Sequence, residues 1–311
     1  MGKHRDTLET FNLTTIPDLD VVVLGALELL AETDLPSLDF SRFVKPLVLG
    51  SGNAFLTAQI VFAEQQAVFG DESSYVHKLS TESGIDGVVI FSASGSKHAV
   101  AMVADLLKEG LEVHLVTNTV DSPASDLLGV ECVHVFPKNR EPYTYNTSTY
   151  LSPILGKTGE DASVISDFIM QEVSPKLLRN FGDYSAFTIL IPSRLEHTRA
   201  MLRTKFDELF GPMLTGRVFT DEEVKHAKTV VTSGDELFIS FGVENNYYGL
   251  PKNRLAIPLP DNADYGAMLA VSYFVVGNIQ KANPPYFKNG IEAYVATASE
   301  IFGQELTPIV E

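Results

Sequence analysis

The chain has 311 residues, 45% hydrophobic and 20% charged, with 23 basic against 40 acidic side chains and a formal net charge of −17. That composition belongs to a folded globular protein, not a disordered or fibrous one, and the length suits one large domain or two ordinary ones. The acidity excludes general binding to nucleic acid or anionic membrane, but not a phosphorylated ligand held by backbone N–H groups and hydroxyls.

Residues 1–45 read as a helical segment broken at Pro17 and Pro36. Its apolar run, 21–30, is interrupted by Glu28 and is too short to span a bilayer. Strands and helices then alternate. A strand over 46–49 leads through Gly50-Ser51-Gly52-Asn53 into a helix over 54–66. A strand over 88–91 leads through Ser92-Ala93-Ser94-Gly95-Ser96 into a helix on which Ala99, Met102, Val103, Leu106 and Leu107 recur at helical spacing. Short strands over 113–116 and 132–136 follow. A second round comprises a helical stretch over 164–179, a strand over 187–191 and a helix over 195–210 that ends at Gly211-Pro212. Strands over 237–241 and 255–257 and helices over 264–281 and 287–302 close the chain. The alternation with short connections predicts parallel, doubly wound sheets. Ser83-Gly84-Ile85-Asp86 and Ser233-Gly234-Asp235 form a faint echo between the halves. The expected division is a helical segment 1–45, a first domain 46–160 carrying the ligand site, and a second domain 161–311.

The turn after 88–91 carries the most chemistry. First-turn N–H groups lack intrahelical partners, the helix dipole is positive there, and serine hydroxyls add compact donors, so the turn suits an anion. An ordinary N-cap needs one such hydroxyl, and here three surround Gly95. The second half has Gly242-Val243-Glu244-Asn245 after a strand, an acid where a phosphate would sit, so one ligand site is expected, in the first half. Gly50-x-Gly52 could open a dinucleotide-binding turn, but Phe55 is too large for the close strand–helix contact made there by a third glycine. Cys132 is the single cysteine, which permits no intramolecular disulfide and suits a reducing cytoplasm. The seven histidines and Cys132 form no ligand-spaced cluster, so neither a metal nor another cofactor is expected.

Over about residues 45–300 the chain resembles the sugar isomerase (SIS) domain family. Its layout is similar to that of the double-SIS phosphosugar isomerases, such as the bifunctional phosphoglucose/phosphomannose isomerases. The resemblance rests on Gly50-Ser51-Gly52-Asn53, on Ser92-Ala93-Ser94-Gly95-Ser96 and on Asn146-Thr147-Ser148-Thr149-Tyr150. It implies an α/β fold of two tandem αβα, flavodoxin-like units with parallel sheets and terminal helices. It further implies a cytoplasmic homodimer that interconverts an aldose 6-phosphate and a ketose phosphate through a cis-enediol. The phosphate would be held by Ser51, Ser92, Ser94, Ser96, Lys97 and Thr147. The family commonly has threonine where this chain has Lys97, a change that could add a cation to the site.

Such isomerisation needs a base between C1 and C2, a ring opener, and a donor or cation for the enediolate. The resemblance implies a proton-transferring glutamate near Glu208 and a ring-opening histidine at His226, acting in a neighbouring subunit's site. Thr220 and Glu223 form a capping-box pattern that predicts a helix with His226 in its second turn. In the glucosamine-6-phosphate synthase branch the glutamate lies upstream of a Ser-Thr pair, which would make Glu141 the base, with Arg140 stabilising the enediolate. Glu208 is preferred because the double-SIS layout fits its branch better. A solvated acid on a charged helix face and an exposed loop at 138–142 are the other readings of these residues. A non-catalytic phosphosugar-binding protein is the alternative function.

Overall fold

A computed structural model describes residues 2–311. The chain forms two compact units that are not consecutive blocks of sequence. One gathers the chain up to Glu32, Asn139–Thr147 and Glu160–Glu311; the other gathers Thr33–Lys138 and Ser148–Gly159. The N-terminal helices α1 (Lys3–Thr10) and α2 (Leu19–Ala31) therefore share a unit with the second sheet.

The first sheet is wholly parallel, in the order β2-β1-β3-β4-β5, from β1 (Leu47–Leu49), β2 (Val68–Gly70), β3 (Val88–Phe91), β4 (Val113–Thr117) and β5 (Val133–Val135). Alternate residues supply two cores. Val48, Val89, Phe91 and Val116 pack with Ala54, Ala58 and Val61 of α3 (Asn53–Val61). Leu47, Leu49, Val88 and Ile90 pack with Ala99, Met102 and Val103 of helix His98–Lys108. The period-2 side-chain alternation thus makes a three-layer unit with helices on both faces. Strand β2 and α4 (Tyr75–Thr81) lie outside the sequence pattern, because the three residues of β2 are too few to show a period and α4 buries no side chain that would mark an apolar stripe. The helix His98–Lys108 is α5, and α6 (Thr147–Thr158) follows the short strand β6 (Glu141–Pro142).

In the second unit β7 (Ala186–Ile191), β8 (Thr215–Thr220), β9 (Glu236–Phe241) and β10 (Arg254–Ile257) form a parallel sheet in the order β10-β9-β7-β8. Both sheets place their second, first, third and fourth strands in the same succession, which is not the dinucleotide-fold order 3-2-1-4-5-6. The echoed segments 83–86 and 233–235 precede the third strand of each sheet, β3 and β9. Around the second sheet lie α7 (Ala162–Phe168), α8 (Thr198–Phe210), α9 (Tyr265–Lys281) and α10 (Tyr286–Phe302). The terminal strand β11 (Ile309–Val310) pairs antiparallel with β6. No helix among the described residues is long and apolar enough to cross a membrane.

Two expected helices are corrected. The stretch over 164–179 widens into a π turn over Ile169–Val173 and ends in a 3-10 turn at Lys176. Pro175 explains this: its ring clashes with the carbonyl four residues back and supplies no N–H. The capping box at Thr220 forms both reciprocal bonds, Thr220 N to Glu223 Oε2 at 3.1 Å and Glu223 N to Thr220 Oγ1 at 3.0 Å. Only one 3-10 turn follows, Glu223–Lys225, in which Val224 alone is buried. A helix without an apolar stripe has nothing to hold it, and Ala227 turns the chain left-handed at φ 56°.

Helices α2 and α9 are buried on most sides. A Cβ at Gly277 of α9 would stand 2.0 Å from the Asp20 backbone nitrogen of α2, so the close approach requires glycine there. Glu160 caps α9, accepting from Asp264 N at 2.8 Å, Gly266 N at 2.7 Å and Ala267 N at 3.0 Å. Burial holds the Asp20 carboxyl above its ordinary 3.8; Asp18 adds to the rise and Lys281 opposes it. A carboxyl raised by folding contributes stability below its unfolded value, and that contribution is lost as pH rises through the folded value. At neutral pH the buried charge is therefore unfavourable. Asp20→Asn is expected to raise the thermal midpoint at pH 7 and to leave it nearly unchanged below pH 3.8, as scanning calorimetry at the two pH values would show.

Candidate functional site

The topology of the first sheet positions the serine turn. Strands β1 and β3 are adjacent, with Leu49 paired to Ile90, and the strand order reverses at this pair. Ser51 and Ser92 lie two residues beyond those partners, at the carboxyl edge where open α/β sheets bind ligands. The turn from β3 into α5 is tightly anchored. Ala93 O accepts from Asn118 N at 2.9 Å, Thr117 Oγ1 at 3.1 Å and Thr119 Oγ1 at 3.2 Å. Gly95 O accepts from Ala124 N at 2.9 Å. Gly95 has φ 53°, and a Cβ there would stand 2.2 Å from Ser122 Oγ, so no other residue fits without displacing Ser122.

Lys97, the residue before α5, has φ 55° and ψ −114°, close to the φ 54° and ψ −127° of Gly52 before α3. A side-chain-bearing residue in this glycine conformation stores about 1–3 kcal/mol of strain. The resulting turn leaves the N–H groups of Ser94, Ser96, Lys97 and His98 without a backbone acceptor among the described residues. Ser94 Oγ and Ser96 Oγ stand 2.8 Å apart on the exposed side of the turn. Successive unpaired N–H groups at a helix N-terminus, with two hydroxyls beside them, form an anion-binding concavity. Ser92, partly exposed, has no side-chain partner among the described residues, whereas Ser51 donates its hydroxyl to Glu72. The structure thus brings Ser51, Ser92, Ser94, Ser96 and Lys97 to one edge of one sheet.

Thr147 lies in the other unit, as the first residue of α6. It is buried, its N–H donates to Glu141 Oε2 at 2.5 Å, and its hydroxyl donates to Tyr145 O at 3.5 Å. Glu141 is itself 3% exposed, so its carboxylate caps α6 from inside the fold. Arg140 donates to Leu8 O at 3.1 Å, Phe11 O at 2.9 Å and Glu311 Oε1 at 2.8 Å, and its guanidinium lies 4.3 Å from the Phe11 ring centroid. The structure therefore ties Arg140 to the carboxyl end of α1, and Glu141 to the start of α6, and does not leave them in an exposed charged loop, the other reading of 138–142. His226 is exposed just beyond the 3-10 turn, with no hydrogen-bond partner for its ring among the described residues.

Glu208 lies on α8 and lines a cavity of about 860 Å³. Thr144, Thr204 and Asp207 join it on the polar side, and Phe210, Met213, Phe287, Ile291 and Tyr294 form much of the apolar wall. Size and lining suit a small molecule. One turn earlier Lys205 is 1% exposed, and its ammonium donates to Glu208 Oε2 at 2.7 Å, Thr144 O at 2.8 Å and Tyr145 O at 3.0 Å. Thr144 carries a buried, unpartnered Oγ1 at φ 70°, an uncommon conformation for a β-branched residue. Sequence reasoning singled out neither Thr144 nor the burial of Lys205. The i, i+3 spacing of Lys205 and Glu208 was the available signal.

No family model matches this chain, and no curated protein matches it in sequence. Solved structures match it in fold. The C-terminal domain of glucosamine-fructose-6-phosphate aminotransferase from Francisella tularensis is 12% identical, with a TM-score of 0.56 over 87% of this chain and 94% of that one. Tagatose-6-phosphate ketose/aldose isomerase from Escherichia coli is 11% identical, with a TM-score of 0.55 over 87% and 89%. Glucosamine-6-phosphate deaminase from Thermotoga maritima is 15% identical, with a TM-score of 0.56 over 85% and 92%. At these identities the likeness is one of fold.

Proposed function

We propose that this protein binds a sugar phosphate at the serine turn and interconverts its aldose and ketose forms, in the manner of glucose or mannose 6-phosphate and fructose 6-phosphate. The concavity before α5, with its two hydroxyls and unpaired N–H groups, carries the reading, because it supplies anion donors without a basic cluster. The three fold neighbours support it, since each name includes a sugar 6-phosphate. In this reading Ser51, Ser92, Ser94, Ser96 and Lys97 serve the phosphate, and Thr147, buried with its N–H on Glu141 and its hydroxyl on Tyr145, is left out of the phosphate set. Glu208 moves the proton between C1 and C2, and His226, exposed and unbonded, opens the ring for a second copy in a homodimer.

A hydroxyl bonded to a charged ligand contributes about 1.5–3 kcal/mol. Ser94→Ala is therefore expected to weaken sugar-phosphate binding by roughly tenfold or more, measured by calorimetry, without changing the thermal midpoint. Unchanged affinity would remove the serine turn from the site. A non-catalytic phosphosugar-binding protein is the second reading, favoured by the Glu208–Lys205 pair, which gives Glu208 a structural partner independent of catalysis. Exchange of the sugar's C2 proton with deuterated solvent decides between them: the enzyme catalyses it, and a sensor binds without exchange.

A further inference from the structure

We propose that Glu112, His114 and Cys132 form a site for a divalent transition metal ion of the zinc type, with His134 as the positioning residue for the histidine ligand. The sequence shows only two short pairs, Glu112-x-His114 and Cys132-x-His134, and pairing of β4 with β5 makes them one cluster. Leu115 pairs with Val133 and Val116 with His134, so the period-2 alternation brings the four side chains to the same face. One ligand atom each from Glu112, His114 and Cys132 lies within 4.8 Å of the others, a span that one ion bound at about 2.0–2.3 Å can close with small side-chain movements. Carboxylate, imidazole and thiolate together suit a borderline ion such as Zn²⁺ and disfavour Mg²⁺ or Ca²⁺.

The histidine geometry is that of a ligand. His114 Nε2 is 3.1 Å from Glu112 Oε1, while its Nδ1 is 3.1 Å from His134 Nε2. With Nδ1–H donated to His134, the Nε2 lone pair faces the cluster and is open to a metal once Arg42 moves away, and the outer partner fixes the ring. Phe40 and Phe43 stand edge-on to the His114 ring, at centroid distances of 5.6 and 5.8 Å, and wall the site on its core side. The focus of the cluster already holds a cation: Arg42 Nη2 pairs with Glu112 and lies 2.5 Å from His114 Nε2. The Arg42 side chain is 53% exposed and can swing into solvent when an ion replaces it. Binding would release the Cys132 thiol proton to solvent and leave a thiolate on the metal. Glu112 and Cys132 immediately precede β4 and β5, so the site lies at the amino edge of the sheet, opposite the serine turn. It serves to tie β4 to β5 and does not touch the sugar-phosphate site.

The test is titration of the full chain, stripped with chelator, with Co²⁺ followed by Zn²⁺ competition. One Co²⁺ per chain is expected, with a thiolate-to-cobalt absorption band in the near ultraviolet that Cys132→Ala abolishes. His134→Ala should weaken binding about 10- to 100-fold without removing the band. Arg42→Ala, a change at an exposed side chain, should bind the ion more tightly than the unsubstituted chain because the competing cation is gone. Absence of the band, or binding unaltered by Cys132→Ala, overturns the proposal. Should the Cys132 variant unfold by circular dichroism, Arg42→Ala decides alone, and affinity no tighter than that of the unsubstituted chain refutes the site.

Discussion

Glu208→Gln is expected to lower sugar-phosphate turnover by about 100- to 10,000-fold, the usual loss when a positioned proton-transfer group is removed. Glutamine keeps the shape and still accepts from Lys205 Nζ, now 2.7 Å from the carboxylate, but it cannot take up and return a proton. Phosphate affinity should stay close to that of the unsubstituted chain, because the serine turn carries that term. C2-proton exchange measured beside binding calorimetry separates the two effects. Full exchange activity in the variant would overturn the assignment of Glu208 as base. In the same assay His226→Ala should slow conversion of the cyclic sugar more than that of an open-chain substrate, since ring opening is the only step given to it.

Lys205→Met is expected to destabilise the unit of the second sheet by about 3 kcal/mol, the lower end of the range for removing one partner of a buried charged pair. The lower end applies because Glu208 keeps 20% side-chain exposure and can rehydrate through the cavity. The loss concentrates in the Thr144 and Tyr145 carbonyls, which both accept from Lys205 Nζ. These carbonyls belong to a turn with two left-handed residues, Thr144 at φ 70° and Asn146 at φ 46°, which needs outside support. Urea unfolding of the variant measures the effect. A midpoint equal to that of the unsubstituted chain would show that water replaces the ammonium and that Lys205 does not hold the turn. The pair of experiments also distinguishes the roles: Glu208→Gln should alter rate with little change in stability, and Lys205→Met should alter stability first.

Much of the fold was legible because its signals are local. The strand at 88–91 came out as β3 with the same ends, since four buried apolar residues followed by a hydroxyl-rich turn and a periodic helix need only neighbours to be read. The doubly wound α/β class followed from the same alternation, and two parallel sheets are present. The strands β2 and β8 escaped. Val68-Phe69-Gly70 is too short for a pattern, and Thr215–Thr220, with Val218 and Phe219 side by side after Gly216 and Arg217, shows no regular alternation. The capping box at Thr220 forms as a hydrogen-bond motif but starts no helix, because capping satisfies end groups without supplying an apolar face.

What the sequence determined by itself is therefore the alternation of strands and helices and the serine-rich turn with Gly95 at its centre. Each depends on residues within a few positions of one another, where backbone sterics and side-chain period act directly. Tertiary structure alone decided what the isolated charged residues do. Arg140 reads as part of an exposed charged string, yet its donors reach Leu8, Phe11 and Glu311, at separations of 132, 129 and 171 residues. His114 and Cys132 show no metal spacing along the chain, and they meet because β4 and β5 pair side by side. A charged side chain gains little from its sequence neighbours in water and much from a partner in a desolvated place. Its role is therefore set by which distant segment the fold brings to it.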